Sequence, residues 1–95
     1  NRMADDPLAR ELPIINRKGL HARASAKFVQ TVERYDAEVT VTRNGETVGG
    51  RSIMGLLTLA AAQGTTIRVT AEGPQAGEAL EGIAALLANR FGEDE

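Results

Sequence analysis

The chain has no cysteine and a single histidine among its 95 residues. Without thiols there is no disulfide and no thiolate metal site, and one imidazole cannot make a clustered histidine site, so no metal and no cofactor are expected. No apolar run approaches the length that crosses a bilayer, and no secretory pattern precedes the bulk of the sequence. The expectation is a soluble cytoplasmic protein that does not engage the membrane. A dominant charge of one sign is also missing. Eleven basic residues against thirteen acidic ones leave a formal net charge of −2, which argues against a nucleic-acid binder that works by neutralising many phosphates. The length fits one domain with a modest core.

Asn1 and Arg2, ahead of Met3, look like residues added for expression. Residues 1–10, with Asp5-Asp6-Pro7 and no periodic pattern, read as a flexible leader, and Gly92-Glu93-Asp94-Glu95 as a short acidic tail. The folded unit is then 11–91. Leu12, Ile14 and Ile15 suggest a first strand, placed at a sheet edge because Pro13 has no N–H for a ladder. From Ala22 to about Arg34, Ala22, Ala26, Val29 and Val32, with Phe28 beside them, follow helical spacing. Glu38 to Thr42 alternates polar and apolar residues, and Asn44-Gly45 supplies the positive φ values of a tight hairpin, so Glu46 to Gly50 pairs back. Ser52 is placed to cap a short helix over Ile53 to Leu59. Thr65 to Ala71 alternates again, with Ile67, Val69 and Ala71 on one face. After Gly73-Pro74, the residues Ala76, Ala79, Leu80, Ile83, Leu87 and Phe91 form the stripe of a last helix.

The order β-α-β-β-α-β-α, with strands apolar on one face only, implies an α+β fold. It is an open-faced two-layer sandwich, a mainly antiparallel four-stranded sheet covered on one face by three helices. Ferredoxin-like split-βαβ folds share that order, so topology alone does not decide function.

Gly19-Leu20-His21-Ala22-Arg23 is where an extended apolar segment gives way to a helical run. The first N–H groups of a helix lack intrahelical partners, so an anion attached to His21 would meet donors from the backbone of Ala22, Arg23 and Ala24. Arg23 adds a planar charged fork, and Arg17 and Lys18 lie just upstream. A helix dipole is worth only ~0.3–1 kcal/mol to a neighbouring charge. A phosphoryl group brings nearly two negative charges and three acceptor oxygens, so the site is suited to holding phosphate as much as to attacking it. The plainer reading of His21 is a surface or helix-capping residue without chemistry. A hydrolase would need a second nucleophile, a metal or a carboxylate orienter, and none is evident. A transient carrier needs only one accessible imidazole and a docking surface.

Gly19-Leu20-His21-Ala22-Arg23-Ala24-Ser25-Ala26-Lys27-Phe28-Val29 resembles the active-site segment of HPr, the histidine phosphocarrier of the bacterial phosphoenolpyruvate-dependent phosphotransferase system. Arg51-Ser52-Ile53-Met54-Gly55-Leu56-Leu57-Thr58-Leu59, followed by Ala62-Gln63-Gly64-Thr65, is similar to the family's regulatory-serine segment and the strand after it. The resemblance implies the sandwich fold reached above from pattern. It also implies that His21 accepts phosphate on Nδ1 from phosphorylated Enzyme I and passes it to a IIA-type domain, with Arg23 assisting. Such a protein is a carrier of a transient phosphohistidine rather than an independent catalyst. Ala24 stands where sugar-transporting members commonly have proline, and the His-Ala-Arg-Ala-Ser form resembles HPr-like proteins of alphaproteobacteria. That favours a regulatory phosphorelay, including the nitrogen-related branch.

The resemblance makes Ser52 a site for an HPr kinase/phosphorylase, alongside its plain role as N-cap. Arg17, Leu20, Lys27, Ile53, Met54 and Leu57 are the expected partner-binding residues, for Enzyme I, IIA domains and a regulatory protein. Burial is expected for Leu57 and not for Met54. A carrier that exposes its site to several partners is expected to be monomeric. The alternative from another class is a non-catalytic regulatory protein-binding module of the same fold.

Overall fold

The computed structural model describes residues 7–95. The strands are β1 (Leu8–Pro13), β2 (Glu38–Arg43), β3 (Glu46–Gly49) and β4 (Thr66–Glu72), and the helices are α1 (Ala22–Val32), α2 (Ile53–Thr58) and α3 (Ala76–Ala88). The sheet order is β1-β4-β2-β3 and every pairing is antiparallel. Alternation sets its two faces. Val39, Val41, Ile67, Val69 and Ala71 point to the helices and are buried, while Glu38, Arg68 and Glu72 between them are exposed. The helices complete the core with Phe28, Val32, Leu56, Leu80, Ile83 and Leu87. Residues Asn44 and Gly45 of the β2–β3 turn both have positive φ, 52° and 81°, as the hairpin signature requires.

Strand β1 lies at an edge, as Pro13 demanded, but it begins earlier than the sequence suggests. Leu8, Ala9 and Arg10, read as leader, pair with Ala71, Thr70 and Val69. They carry little intrinsic strand preference, and the exposed edge of β4 supplies the ladder that their side chains do not advertise. Arg10 then reaches Glu81 on α3 at 2.5 Å. The rest of the leader, residues 1–6, lies outside the described residues.

Two helical faces also differ from expectation. On α1 the buried set is Ala24, Ser25, Phe28, Val29, Thr31 and Val32, whereas Ala22 is exposed and Ala26 half-buried. The small alanines carried too little apolar weight to fix the stripe, and Phe28 fixes it instead. On α2, Leu56 is fully buried and Leu57 only half-buried. One turn and a half of helix can point only one of two adjacent leucines inward.

Helix α3 ends at Ala88 instead of running to Phe91. Arg90 and Phe91 both take φ of 55°, a left-handed conformation unusual for side chains with a Cβ. Burial of the Phe91 ring, 1% exposed, and a 2.6 Å hydrogen bond from Lys27 Nζ to its carbonyl offset that strain. The chain is thereby turned back toward the start of α1.

Leu56→Ala is expected to cost about 2–5 kcal/mol in urea unfolding, while Met54→Ala, at a side chain 73% exposed, is expected to change stability by less than about 0.5 kcal/mol. Equal effects at the two positions would contradict the assigned face of α2.

Candidate functional site

Gly19 turns the chain into α1. Its φ is +69°, and a Cβ there would lie 2.6 Å from the Ala61 carbonyl oxygen, so glycine is required for both conformation and space. That same carbonyl accepts the Leu20 N–H at 2.9 Å. Leu20 is 4% exposed and anchors the loop to the core, which leaves little of its side chain for the partner contact expected from sequence.

With the loop fixed, His21 becomes the N-cap of α1, in extended conformation with ψ of −175°. Its Nδ1 accepts from the Arg23 N–H at 3.2 Å and, more weakly, from the Ala24 N–H at 3.5 Å. The nitrogen that caps the helix is the one that the resemblance implies as phosphate acceptor. An acceptor at Nδ1 carries a lone pair, so a neutral ring bears its hydrogen on Nε2. Nε2 is hydrogen-bonded to the Glu93 carboxylate.

Glu93 and its neighbour Asn16 were not singled out in the sequence. Asn16 is fully buried, and its Nδ2 donates to the Gly19 carbonyl at 2.8 Å and to Glu93 Oε1 at 3.1 Å. Its Oδ1 is buried without a partner among the described residues, a cost of about 1–3 kcal/mol that the surrounding fold sustains. Desolvation tends to raise the Glu93 pKa. The hydrogen bonds from His21 and Asn16 outweigh it, with electrostatic support from the His21 ring in its protonated, imidazolium form and from Lys18, and the carboxyl is held below its ordinary 4.5. The acidic tail is therefore a structured part of the site. Arg17 ties it further, through its N–H to the Glu95 carbonyl at 2.8 Å and its guanidinium to Glu95 Oε1 at 2.6 Å. That exposed ion pair is worth at most about 1 kcal/mol.

Of the remaining sequence candidates, Ala22 and Arg23 are exposed and Ala24 is buried beneath the first turn. Among the described residues no hydrogen bond or ion pair holds the Arg23 side chain. Lys27 is engaged with the Phe91 carbonyl, which gives it a structural task. Ser52 caps α2, its Oγ accepting the Gly55 N–H at 2.9 Å, and remains exposed. Ile53 and Met54 are exposed beside it, at 39% and 73%. Among the described residues no group of three or more His, Cys, Asp or Glu could hold a metal ion, and no helix is long and apolar enough to cross a membrane.

The site thus sets an imidazole nitrogen against the N-terminus of a helix, on an open-faced antiparallel sandwich. The family model described as "PTS HPr component phosphorylation site" matches residues 8–89. The chain is 48% identical over 88 residues to the phosphocarrier protein HPr of Cupriavidus necator, covering 93% of this chain and 99% of that one. It is 50% identical over 88 residues to that of Pseudomonas aeruginosa, covering 92% and 98%. A crystal structure of HPr-C-His from Thermoanaerobacter tengcongensis superposes with a TM-score of 0.88 at 34% identity, over 93% of this chain and 99% of that one. The chain belongs to the HPr family, the phosphocarriers of the phosphotransferase system.

Two outcomes are expected from the site's geometry. Gly19→Ala should destabilise the fold by at least about 1–2 kcal/mol, since an L-residue is forced into the left-handed region; wild-type stability in denaturant would contradict the loop's role. Because the folded-state pKa of Glu93 is lowered, its clasp contributes stability above the unfolded carboxyl value and loses it as pH falls through the folded value. A carboxyl ¹³C titration of Glu93 should therefore give a midpoint below 4.5, and a midpoint at or above that value would contradict the contact.

Proposed function

We propose that His21 is the phosphorylated residue, accepting the phosphoryl group on Nδ1 from Enzyme I and donating it to a IIA-type domain. The observation that carries this reading is the direction of the Nδ1 lone pair toward the N–H groups of Arg23 and Ala24. In the forward step Nδ1 forms the bond to phosphorus as the bond from phosphorus to its donor breaks. The N–H groups that capped onto the nitrogen then meet phosphoryl oxygens, exchanging a neutral acceptor for a charged one. Arg23, exposed and without a partner among the described residues, is free to add its guanidinium. Ala24 has an N–H that proline would lack, and this donor belongs to the cradle.

The exposed pair Ile53 and Met54, with half-buried Leu57, supports docking of Enzyme I and IIA domains on α2. Arg17 contributes charge at the rim. Ser52, exposed at the head of the same helix, is the place where an HPr kinase/phosphorylase would act. A phosphate there is compatible with the helix terminus and would obstruct the apolar contact beside it. This carrier works in the cytoplasm, as a monomer, in a regulatory phosphorelay read by a further protein rather than in bulk sugar uptake.

Incubation with cognate Enzyme I, Mg²⁺ and phosphoenolpyruvate should place one acid-labile phosphate on His21, by intact mass and site mapping, and a IIA domain should remove it. His21→Ala should remain folded and unlabelled; labelling that persists would refute the assignment. Ser52→Asp should weaken Enzyme I docking, and unchanged transfer kinetics would count against the role of Ser52.

A further inference from the structure

We infer that Glu93 is a positioning residue for His21, holding the ring hydrogen on Nε2 so that Nδ1 stays free for phosphoryl transfer. The inference rests on the functional reading above and adds a residue to it. Nε2 meets Glu93 Oε2, while Glu93 Oε1 is held by buried Asn16 at 3.1 Å. The carboxylate thus presents one oxygen to each of two donors. A carboxylate has no proton of its own to give, so it accepts at both contacts. The other tautomer, with hydrogen on Nδ1, would face two backbone N–H donors at one end and leave an N–H-free nitrogen against a carboxylate at the other. Both ends of the ring therefore select the same form.

The chemistry gives that selection a consequence. When the Nδ1 lone pair forms its bond to phosphorus, the ring that keeps Nε2–H becomes cationic, and the Glu93 carboxylate lies against the hydrogen that carries this charge. No proton has to move for the bond to form. The tail is held for this task by three further contacts, from Lys27 Nζ to the Phe91 carbonyl at 2.6 Å and from Arg17 to Glu95 at 2.6 Å and 2.8 Å.

Glutamine at position 93 is an informative variant. It offers a single acceptor oxygen where the site presents two donors, Asn16 Nδ2–H and His21 Nε2–H. Either the ring or Asn16 must then face another N–H, so Glu93→Gln should mix the tautomers, and Glu93→Ala should release the ring.

The test uses the full chain with ¹⁵N-labelled histidine. Long-range ¹H–¹⁵N correlation on the unphosphorylated wild type, at a pH where the ring is neutral, should show Nε2 protonated and Nδ1 bare. The same spectra of Glu93→Gln and Glu93→Ala should move toward a tautomer mixture. Phosphorylation of Glu93→Ala by phosphorylated Enzyme I should be slower by about tenfold or more, with the phosphate still mapped to His21. A wild-type ring protonated on Nδ1 would overturn the inference, and so would a Glu93→Ala protein phosphorylated at the wild-type rate or faster, the latter marking the tail as an obstruction. Absence of phosphate from wild-type His21 would overturn the functional reading and this role with it, whereas normal labelling with an indifferent Glu93→Ala overturns the positioning role alone.

Discussion

The N-terminus of α1 leaves backbone N–H groups without intrahelical partners, and the atom that satisfies two of them is the free ring nitrogen of His21. Most of what surrounds the site exists to keep that contact in place. Gly19 gives the loop its positive φ against the Ala61 carbonyl, and buried Leu20 fixes the loop's depth. Without them the imidazole would be one more exposed side chain on a mobile turn. With them it occupies the seat that an ordinary Ser or Asp cap would fill, and a capping acceptor can be replaced by a better one, a phosphoryl oxygen.

The tail extends the same logic from the far end of the chain. Phe91 is driven into the core at the expense of two left-handed residues, and the chain that follows it is carried back to His21. Hydrophobic burial at Phe91, worth a few kcal/mol for an aromatic ring, is what a set of exposed ion pairs could not supply alone. Asn16 converts this return into a defined contact by holding Glu93 with one of its two N–H groups and the Gly19 loop with the other. The held ring contrasts with the exposed Arg23 side chain and the exposed Ile53 and Met54 of α2.

Much of the scaffold was legible in the sequence because its signals are local. Asn44-Gly45 can hardly form anything but a tight turn between alternating segments, Ser52 is an N-cap by chemistry, and Pro13 sends its strand to an edge. The features that escaped are those decided by distant partners. Leu8 to Arg10 are strand only because β4 offers its edge, and Phe91 leaves the α3 stripe because the core beside α1 accepts its ring. The choice of Leu56 over Leu57 follows from how a short helix sits, which residue type does not encode. At the candidate site, the place of His21 at the head of α1 could be read from one contiguous motif. Asn16 and Glu93, seventy-seven residues apart in sequence, meet only through the fold, and an acidic tail without periodicity gives no sign of a structural task.

The central claim is that phosphate takes over the capping place at the head of α1. The most direct measurement is heteronuclear NMR of the phosphorylated protein, reading the ³¹P–¹⁵N coupling in the His21 ring together with the amide resonances of Arg23 and Ala24. Coupling to Nδ1, with both amide protons shifted downfield as they bond phosphoryl oxygens, is the result this account predicts. Coupling to Nε2, or Arg23 and Ala24 amides that do not respond to phosphorylation, would contradict it.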